Sequence, residues 1–356
     1  MHIGIVCKVI DNFGDAGFSL RLAKALASNG HSVDLFHDHS ATFSALYPTH
    51  DIDRLTLIDA TQAAIEDTAV RAPDLILEPF GTSSEQTRFR FDVALKHNCP
   101  GVPWLLIDYL SSEKWVESFH LSTSVDPSTG HMTTFFYPGF TEKTGGLIHC
   151  DYPRHLLDCP PQAKKTGLDI FIFAYSNAPV RELVDACNSM NEREHTIRIG
   201  LAGNGMALKA QDCAKLLPFV PQSQFDELLA QHDVLFVRGE DSFVRAQLAG
   251  KPLIWQIYPT EDNAHAEKLT CFYELYAEGL DADCKVALWN CWLAWNGIDT
   301  EADFGEIWIA LLPHLPELQT HAMRWQTRLL NGRELVKEVL TWCRLQTPTL
   351  LEKPDL

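Results

Sequence analysis

Positive charge is scarce in this sequence. The 356 residues include 29 lysines and arginines against 47 aspartates and glutamates, which gives a formal net charge of −18. Proteins that bind nucleic acids or anionic membranes without sequence specificity depend on basic surfaces, so this balance argues against both kinds of partner. The acidity is compatible with a basic macromolecular partner, and it is also common among soluble proteins in general.

Long apolar runs are missing as well. No run of 18 apolar residues occurs, so no transmembrane helix is expected. The opening segment MHIGIVCKVIDNFGD is typical of a strand that runs into a loop, and it is interrupted too soon for a signal peptide. We therefore expect a cytoplasmic protein that does not associate with membranes.

The sequence also lacks the spacings of metal sites. Its ten cysteines are scattered without a C-x-x-C pair, which predicts reduced, mostly buried thiols rather than a zinc site or disulfides. His37 and His39 alternate at a strand end, where histidines are more often solvated than metal-bound. Asp281 and Asp283 have D-x-D spacing but lie in a helical pattern, which argues against metal-dependent GT-A chemistry. No metal and no cofactor are predicted.

What is present is the pattern of two α/β domains. Hydrophobic residues make up 46% of the chain and charged residues 21%, a globular composition with enough length for two cores. A strand at His2–Val9, a helix at Phe18–Ser28 and a strand at Ser32–Phe36 form a βαβ opening, which predicts a parallel sheet. The Pro- and Lys-rich stretch at 150–166 predicts a domain boundary, after which a strand at Leu168–Phe173 begins a second α/β pattern.

The remaining segments and the domain bounds are predicted from composition and from less regular apolar patterns. Leu110–Gly146 is rich in Ser, Thr, Pro and Gly, which predicts a long functional loop or an interface element rather than regular structure. Phe219 and Val220 are expected to be extended, and Pro316–Leu345 to form one long final helix. The predicted domains are 1–160 and 161–330, with 331–356 as a C-terminal helix and tail that packs back on the N-terminal domain. GT-B glycosyltransferases have this two-domain organisation, as do other α/β enzymes.

Two carboxylates occupy the first βα loop, where open α/β sheets place ligands. Asp11 and Asp15 are four residues apart around Gly14, so both can point into one space and serve acid–base chemistry. An alternative assigns Asp11 to a turn and Asp15 to a helix N-cap. Gly14 and Gly17 do not have G-x-G-x-x-G spacing, so a Rossmann dehydrogenase is poorly supported.

The stretch Val234–Tyr258 organises the second domain as strand, polar turn, helix and strand. The turn at 238–242 would present backbone N–H groups to a diphosphate at the carboxyl edge of the sheet. Because carboxylates would repel that diphosphate, Glu240 is expected to face sugar hydroxyls or to hold the loop through Arg238 or Arg245. The alternative is an ordinary, well-capped helix.

Two further segments carry candidate binding residues. Tyr175, Ser176 and Asn177 close the first strand of the second domain, where an aromatic and small polar groups suit a sugar or nucleotide. Phe219 can stack on a base and Gln222 can read its edge. The alternatives are a strand-end aromatic that fills a gap and a hydrophobic strand ended by a proline.

Several segments closely resemble the EarP family of bacterial protein-arginine rhamnosyltransferases, which modify translation elongation factor P. The similarity covers nearly the whole chain, in the right order across both domains. The segments are CKVIDNFGDAG at Cys7–Gly17, DYLSSEKW at Asp108–Trp115, PGFTEKTGGL at Pro138–Leu147, PFVPQSQFDELL at Pro218–Leu229, RGEDSFVRAQLAGKP at Arg238–Pro252, IYP at Ile257–Pro259 and AHAEKL at Ala264–Leu269. Asp108 stands where the family pattern has a glutamate.

The resemblance implies an α/β GT-B glycosyltransferase, with two Rossmann-like domains facing a cleft. Domain 1–160 would bind the acceptor and domain 161–330 the sugar nucleotide. The implied reaction is inverting, metal-independent transfer of rhamnose from dTDP-β-L-rhamnose to an arginine of elongation factor P. The alternatives are a GT-B enzyme with another nucleotide sugar or acceptor, and a non-catalytic module that binds a nucleotide sugar or a translation factor.

The resemblance also implies roles for individual residues. Asp15 is the implied general base and Asp11 its companion. The implied donor and acceptor contacts are Asn12, Phe13, Gly14, Gly17, Tyr175, Phe219, Gln222, Arg238, Glu240, Asp241, Ser242 and Gln256.

Overall fold

The computed structural model describes residues 1–11, 13–60, 73–81, 99, 101–127, 130–157, 167–192, 196–203, 207–260, 264–298 and 303–346. The chain divides into a first unit, Met1–Asp151 with Asn331–Leu356, and a second unit, Tyr152–Leu330. The boundary predicted between residues 160 and 161 falls at 158–166, outside the described residues, as does 347–356 of the predicted tail.

A mostly parallel sheet forms the centre of the first unit. In its described part, seven strands lie in the order β3-β2-β1-β4-β5-β7-β6, and β6 alone runs antiparallel to its neighbour. β1 and β4 are buried throughout, as expected for parallel strands covered on both faces. The strands are β1 (His2–Cys7), β2 (Ser32–His37), β3 (Leu55–Asp59), β4 (Leu75–Pro79), β5 (Trp104–Ile107), β6 (Thr123–Val125) and β7 (Met132–Phe136).

Helices complete the first unit. The first helix, Phe13–Ser28, connects β1 to β2 and buries its apolar face in the main core. The last helix, Leu335–Gln346, packs into the same core through residues such as Val339 and Cys343. Shorter helices are Ser40–Leu46 and Val116–Phe119.

The predicted loop at Leu110–Gly146 is wrong in part, because it contains the Val116–Phe119 helix, β6 and β7. β7 lies parallel to β5, with Trp104 opposite Thr133 and Ile107 opposite Phe136. The two threonines of β7 interrupt the apolar pattern by which a strand is recognised in a sequence. Its conformation is decided by the pairing with β5.

The predicted long final helix is also wrong, since two helices, Leu315–Leu330 and Leu335–Gln346, occupy that segment. Between them, the Arg333 carbonyl accepts from the Leu147 N–H at 3.2 Å, and the Leu147 carbonyl accepts from the Leu335 N–H at 2.9 Å. Gly146 makes this approach possible, because its φ is +73° and an added Cβ would lie 2.1 Å from the Arg333 oxygen. This strand-like contact interrupts the helix.

The second unit repeats the strand order of the first. Its described strands are all parallel, in the order β10-β9-β8-β11-β12, which matches β3-β2-β1-β4-β5. The direction of winding changes between β8 and β11, as it does between β1 and β4, and ligands bind beyond the strand ends at such points. The strands are β8 (Leu168–Phe173), β9 (Ile197–Ala202), β10 (Ala214–Leu216), β11 (Val234–Arg238) and β12 (Leu253–Gln256). Phe219 and Val220, which were predicted to be extended, follow β10 and belong to no strand.

The helices of the second unit enclose an aromatic core. Trp255 of β12 stacks on Phe243 with ring centroids 3.9 Å apart, and Phe272 meets both rings edge-on. Within the described chain, no helix is long and apolar enough to span a bilayer. The helices of the second unit are Arg154–Leu157, Val180–Asn191, Gln222–Ala230, Asp241–Leu248, Ala264–Tyr276, Ala282–Trp295, Phe304–Leu311, the 3₁₀ turn Leu312–His314, and Leu315–Leu330.

Candidate active site

Asp15 lies in the first turn of the first helix, beyond the carboxyl end of β1, and is only 2% exposed. Its Oδ2 accepts hydrogen bonds from the backbone N–H groups of Ile10 at 2.7 Å and Asp11 at 2.8 Å. Two donors on one oxygen fix the orientation of the carboxylate and fold the loop over the helix start. Asp15 is therefore a positioned carboxylate at the ligand-binding edge of the sheet.

Gly14 brings Asp11 close to the same helix turn. The Gly14 N–H donates to the Asp11 carbonyl at 2.6 Å, and a Cβ on Gly14 would lie 2.7 Å from Asp11 Oδ2. A larger residue at position 14 would thus displace the Asp11 carboxylate. Asp11 precedes the helix and Asp15 lies in its first turn, because the helix begins at Phe13 and not at Phe18 as predicted.

The remaining first-loop candidates have different surroundings. Phe13 is partly buried against the main core, and Gly17 is buried within the helix. Asn12 lies outside the described residues. Burial raises the pKa of the Cys7 thiol, whose Sγ lies 3.7 Å from the Asp15 backbone oxygen, so Cys7 stays protonated there and is no nucleophile.

In the second unit, a tight turn joins β11 to the helix Asp241–Leu248. The Ser242 hydroxyl donates to the Arg238 carbonyl at 2.6 Å and accepts from the Arg238 N–H at 3.2 Å, and Ser242 is 6% exposed. Gly239 has a φ of +60° and donates to the Gln256 carbonyl at 3.0 Å. The Ser242 hydroxyl therefore closes the turn.

Three backbone N–H groups at the start of this helix precede its helical hydrogen-bond pattern. The first bond of the helical pattern runs from the Val244 N–H to the Glu240 carbonyl at 3.1 Å. The N–H groups of residues 241–243 precede that bond and lie at the positive end of the helix dipole. Asp241 is half-buried at the first helical position. The turn can hold an anion through these N–H groups.

Glu240 pairs with Lys268, a partner that the sequence did not predict. The Lys268 Nζ donates to Glu240 Oε1 at 3.1 Å, and the two side chains are 18% and 13% exposed. Lys268 belongs to the helix Ala264–Tyr276, so only the tertiary packing brings it to the turn. It is a site residue that sequence reasoning missed, and its charge offsets the carboxylates beside the helix N-terminus.

Arg238 interacts with two aromatic rings from the end of β8. Its guanidinium carbon lies 4.3 Å from the Phe173 ring centroid and 4.4 Å from that of Tyr175. The guanidinium also donates to the Ala174 carbonyl at 3.4 Å. These contacts hold the loop after β8 against the turn after β11.

Gln256 braces that loop from the other side. Its Oε1 accepts from the Tyr175 N–H at 2.7 Å, its Nε2 donates to Asn177 Oδ1 at 3.0 Å, and it is 1% exposed. The Tyr175 ring meets Tyr258 edge-on with centroids 5.6 Å apart. The structure therefore brings Tyr175, Arg238, Ser242 and Gln256 to one sheet edge.

A buried ion pair fixes the helix that carries the turn. Arg245 donates to Asp226 through Nε at 2.7 Å and Nη2 at 2.5 Å, and the side chains are 0% and 5% exposed. The pair joins the helices Gln222–Ala230 and Asp241–Leu248. Gln222 begins the first of these and is 5% exposed, whereas Phe219, three residues earlier, is 56% exposed.

One group among the described residues has metal-ligand chemistry. Potential ligand atoms of Cys284, His314 and Glu317 all lie within 4.8 Å of one another. Burial and the nearby Glu317 carboxylate raise the pKa of the Cys284 thiol to about 12. These residues belong to helical segments, and none lies in the strand-end loops that carry the site.

Solved structures to which this chain is similar include glycosyltransferases. One, described as the structural basis for EarP-mediated arginine glycosylation of translation elongation factor EF-P, has a TM-score of 0.57, 26% identity, and coverage of 97% of this chain and 99% of that one. The spinosyn forosaminyltransferase SpnP also has a TM-score of 0.57, with 14% identity over 98% and 99% of the chains, and shows the fold alone. The protein is a GT-B glycosyltransferase, as predicted.

Sequence comparison identifies the family within that class. The family model described as Elongation-Factor P (EF-P) rhamnosyltransferase EarP matches residues 3–344. A protein-arginine rhamnosyltransferase of Pseudomonas putida is 34% identical over an alignment that covers 96% of this chain and 98% of the relative. The chain belongs to the EarP family, which confirms the resemblance found in its motifs.

Proposed function

We propose that this protein transfers rhamnose from dTDP-β-L-rhamnose to an arginine of translation elongation factor P, with inversion and without a metal. The family match over residues 3–344 carries the proposal. The P. putida relative, a protein-arginine rhamnosyltransferase, supports the sugar and the acceptor side chain. Action on a translation factor would place the enzyme in the cytoplasm.

The acceptor chemistry requires a carboxylate. Arginine has a pKa of roughly 12 or higher, so its nitrogen becomes nucleophilic only as a base removes a proton. Asp15 is the proposed base and Asp11 its companion, and the two N–H donors on Asp15 Oδ2 support this by fixing its orientation. As the nitrogen bonds to the anomeric carbon, the bond from that carbon to the diphosphate oxygen breaks and Asp15 takes the proton.

The leaving dTDP needs its charge stabilised. The proposed groups are the N–H groups of residues 241–243, the helix dipole and the cation of Lys268. Tyr175, Arg238 and Gln256 would shape the sugar-nucleotide pocket, with Phe219 and Gln222 at the base. In the first loop, Phe13, Gly14 and Gly17 would shape the acceptor side.

Mass spectrometry of elongation factor P tests the whole proposal. The purified enzyme should add a deoxyhexose to one arginine when dTDP-β-L-rhamnose is supplied, and no sugar with UDP-glucose. Transfer from the second donor only would favour a different GT-B transferase. Binding of elongation factor P without any transfer would favour the non-catalytic module.

Loss of the Glu240 carboxylate should affect the sugar more than the nucleotide. Glu240→Ala should weaken the binding of dTDP-rhamnose by about ten- to hundredfold, because hydrogen bonds to charged groups contribute about 1.5–3 kcal/mol. It should leave the binding of dTDP nearly unchanged, since Lys268 remains. Titration calorimetry with both ligands measures the difference. Glu278→Ala, at a carboxylate that is 76% exposed, is the control. Equal losses for both ligands would show that Glu240 does not contact the sugar.

Chelation should leave activity intact. The proposed diphosphate anchor is the turn at 239–242 with its helix N-terminus, which stabilises charge without a divalent ion. Initial rates of metal-stripped enzyme should therefore be the same with and without EDTA. Inactivation that Mg²⁺ or Mn²⁺ reverses would contradict the proposal and would make Asp241 a candidate metal ligand.

A further inference from the structure

Three aromatic rings form a row at the carboxyl edge of the first sheet. The Phe18 and Phe80 ring centroids are 4.9 Å apart, and those of Phe80 and Tyr109 are 4.3 Å apart with 11° between the ring planes. The rings come from the first helix, the end of β4 and the end of β5. We call Phe18, Phe80 and Tyr109 the aromatic row.

The backbone at Phe80 is unusual. Its φ is +65°, a left-handed conformation that side chains rarely adopt and that bulky residues adopt least. Its N–H donates to the Ile107 carbonyl at 2.7 Å, which continues the β4–β5 pairing by one residue. Strained residues of this kind cluster at binding and catalytic sites, where the surrounding structure holds them.

The aromatic row begins beside the proposed base. Phe18 follows Asp15 by three residues in the same helix, and side chains at that spacing are neighbours on one helix face. β1 and β4 are adjacent strands, so Asp15 and Phe80 lie at the point where the winding of the sheet changes direction. Tyr109 is the most accessible ring, with 37% of its surface exposed.

Carboxylates beside aromatic faces suit one class of ligand, a planar cation. A guanidinium stacks on an aromatic face through cation–π attraction while its N–H groups donate to carboxylates. A compact ammonium ion lacks the plane that stacks. The row therefore adds to Asp11 and Asp15 a second, independent element of guanidinium recognition.

We propose that the face of Tyr109 turned away from Phe80 is the platform on which the guanidinium of the acceptor arginine stacks while Asp15 removes its proton, with Phe80 stacked behind Tyr109. This inference rests on the proposed function, because that function supplies the arginine. Phe18 supports Phe80 from below the platform. Stacking fixes the guanidinium plane, which directs one nitrogen towards the anomeric carbon and keeps the others on the carboxylates.

Tyr109→Leu is the test, with Tyr109→Phe as the conservative variant. Tyr109→Leu removes a cation–π contact, whose strength depends on how far the contact is shielded from water. The KM for elongation factor P should therefore rise by about three- to thirtyfold. Tyr109→Phe keeps the stacking face and should have a KM close to that of the wild type. Calorimetry should give both variants the wild-type affinity for dTDP-rhamnose, which also verifies their folding.

Phe119→Leu is the matched control, because Phe119 is a 53% exposed ring of the same unit outside the row. It should leave the KM unchanged. An unchanged KM in Tyr109→Leu, or equal changes in Tyr109→Leu and Phe119→Leu, would overturn the platform alone. Absence of transfer to elongation factor P by the wild-type enzyme would overturn the proposed function, and the platform with it.

Discussion

Asp15→Asn should abolish transfer while the fold and the donor affinity remain. Asparagine keeps an oxygen that can accept the Ile10 and Asp11 N–H groups, but a carboxamide cannot take the proton from arginine. General-base catalysis contributes about 10²–10⁴-fold, so the rate should fall below about one hundredth of wild type. Rates from mass spectrometry of elongation factor P, with donor binding by calorimetry, measure both parts.

Asp38→Asn is a matched control for that variant. Asp38 also accepts a backbone N–H of the segment after β1, that of Val9 at 3.0 Å, but is not a proposed catalytic group. It should keep most of the activity, whereas Asp15→Ala should lose both activity and stability because no acceptor remains for the two N–H groups. Activity of Asp15→Asn above one hundredth of wild type would remove Asp15 from the role of base.

Arg245→Met should destabilise the second unit severely. The substitution leaves the Asp226 carboxylate buried without the two donors that now neutralise it. Removing one member of a buried ion pair costs about 3–5 kcal/mol. Calorimetry should show a large decrease in the unfolding temperature of the second unit. The binding of dTDP should also weaken, because the helix that follows the turn is no longer held in place.

Arg328→Met supplies the comparison for this prediction. Arg328 pairs with Glu278 at 3.8 Å, and the side chains are 48% and 76% exposed, so its loss should cost about 0–1 kcal/mol. Adding Asp226→Leu to Arg245→Met should restore much of the stability, because no buried charge then remains. Similar unfolding of the Arg245 and Arg328 single variants would show that the buried pair does not hold the unit together.

The buried parallel strands were predictable from the sequence. The bounds predicted for β8, Leu168–Phe173, are those observed. Such strands are continuous apolar runs between turn signals, so the chain encodes them locally. β7 escaped prediction because its strand character comes from pairing with β5, in which Trp104 lies opposite Thr133, 29 residues later in the chain.

The carboxyl-edge positions of the candidate site were predictable for the same local reason. A strand followed by a polar turn and a helix places that turn at the carboxyl edge, so Asp15 and the turn at 238–242 could be located before any tertiary contact was known. Family motifs added the proposed roles of these residues. Their chemistry as carboxylates and backbone donors follows from the residue types alone.

The partners of the site residues were decided by the tertiary structure. Glu240 pairs with Lys268 because the helix Ala264–Tyr276 packs beside the turn, and Arg245 pairs with Asp226 because two helices meet. Gln256 reaches the loop after β8 although β12 follows it by about eighty residues in the chain. These contacts depend on which distant elements come together, and local patterns along the sequence do not show which elements those are.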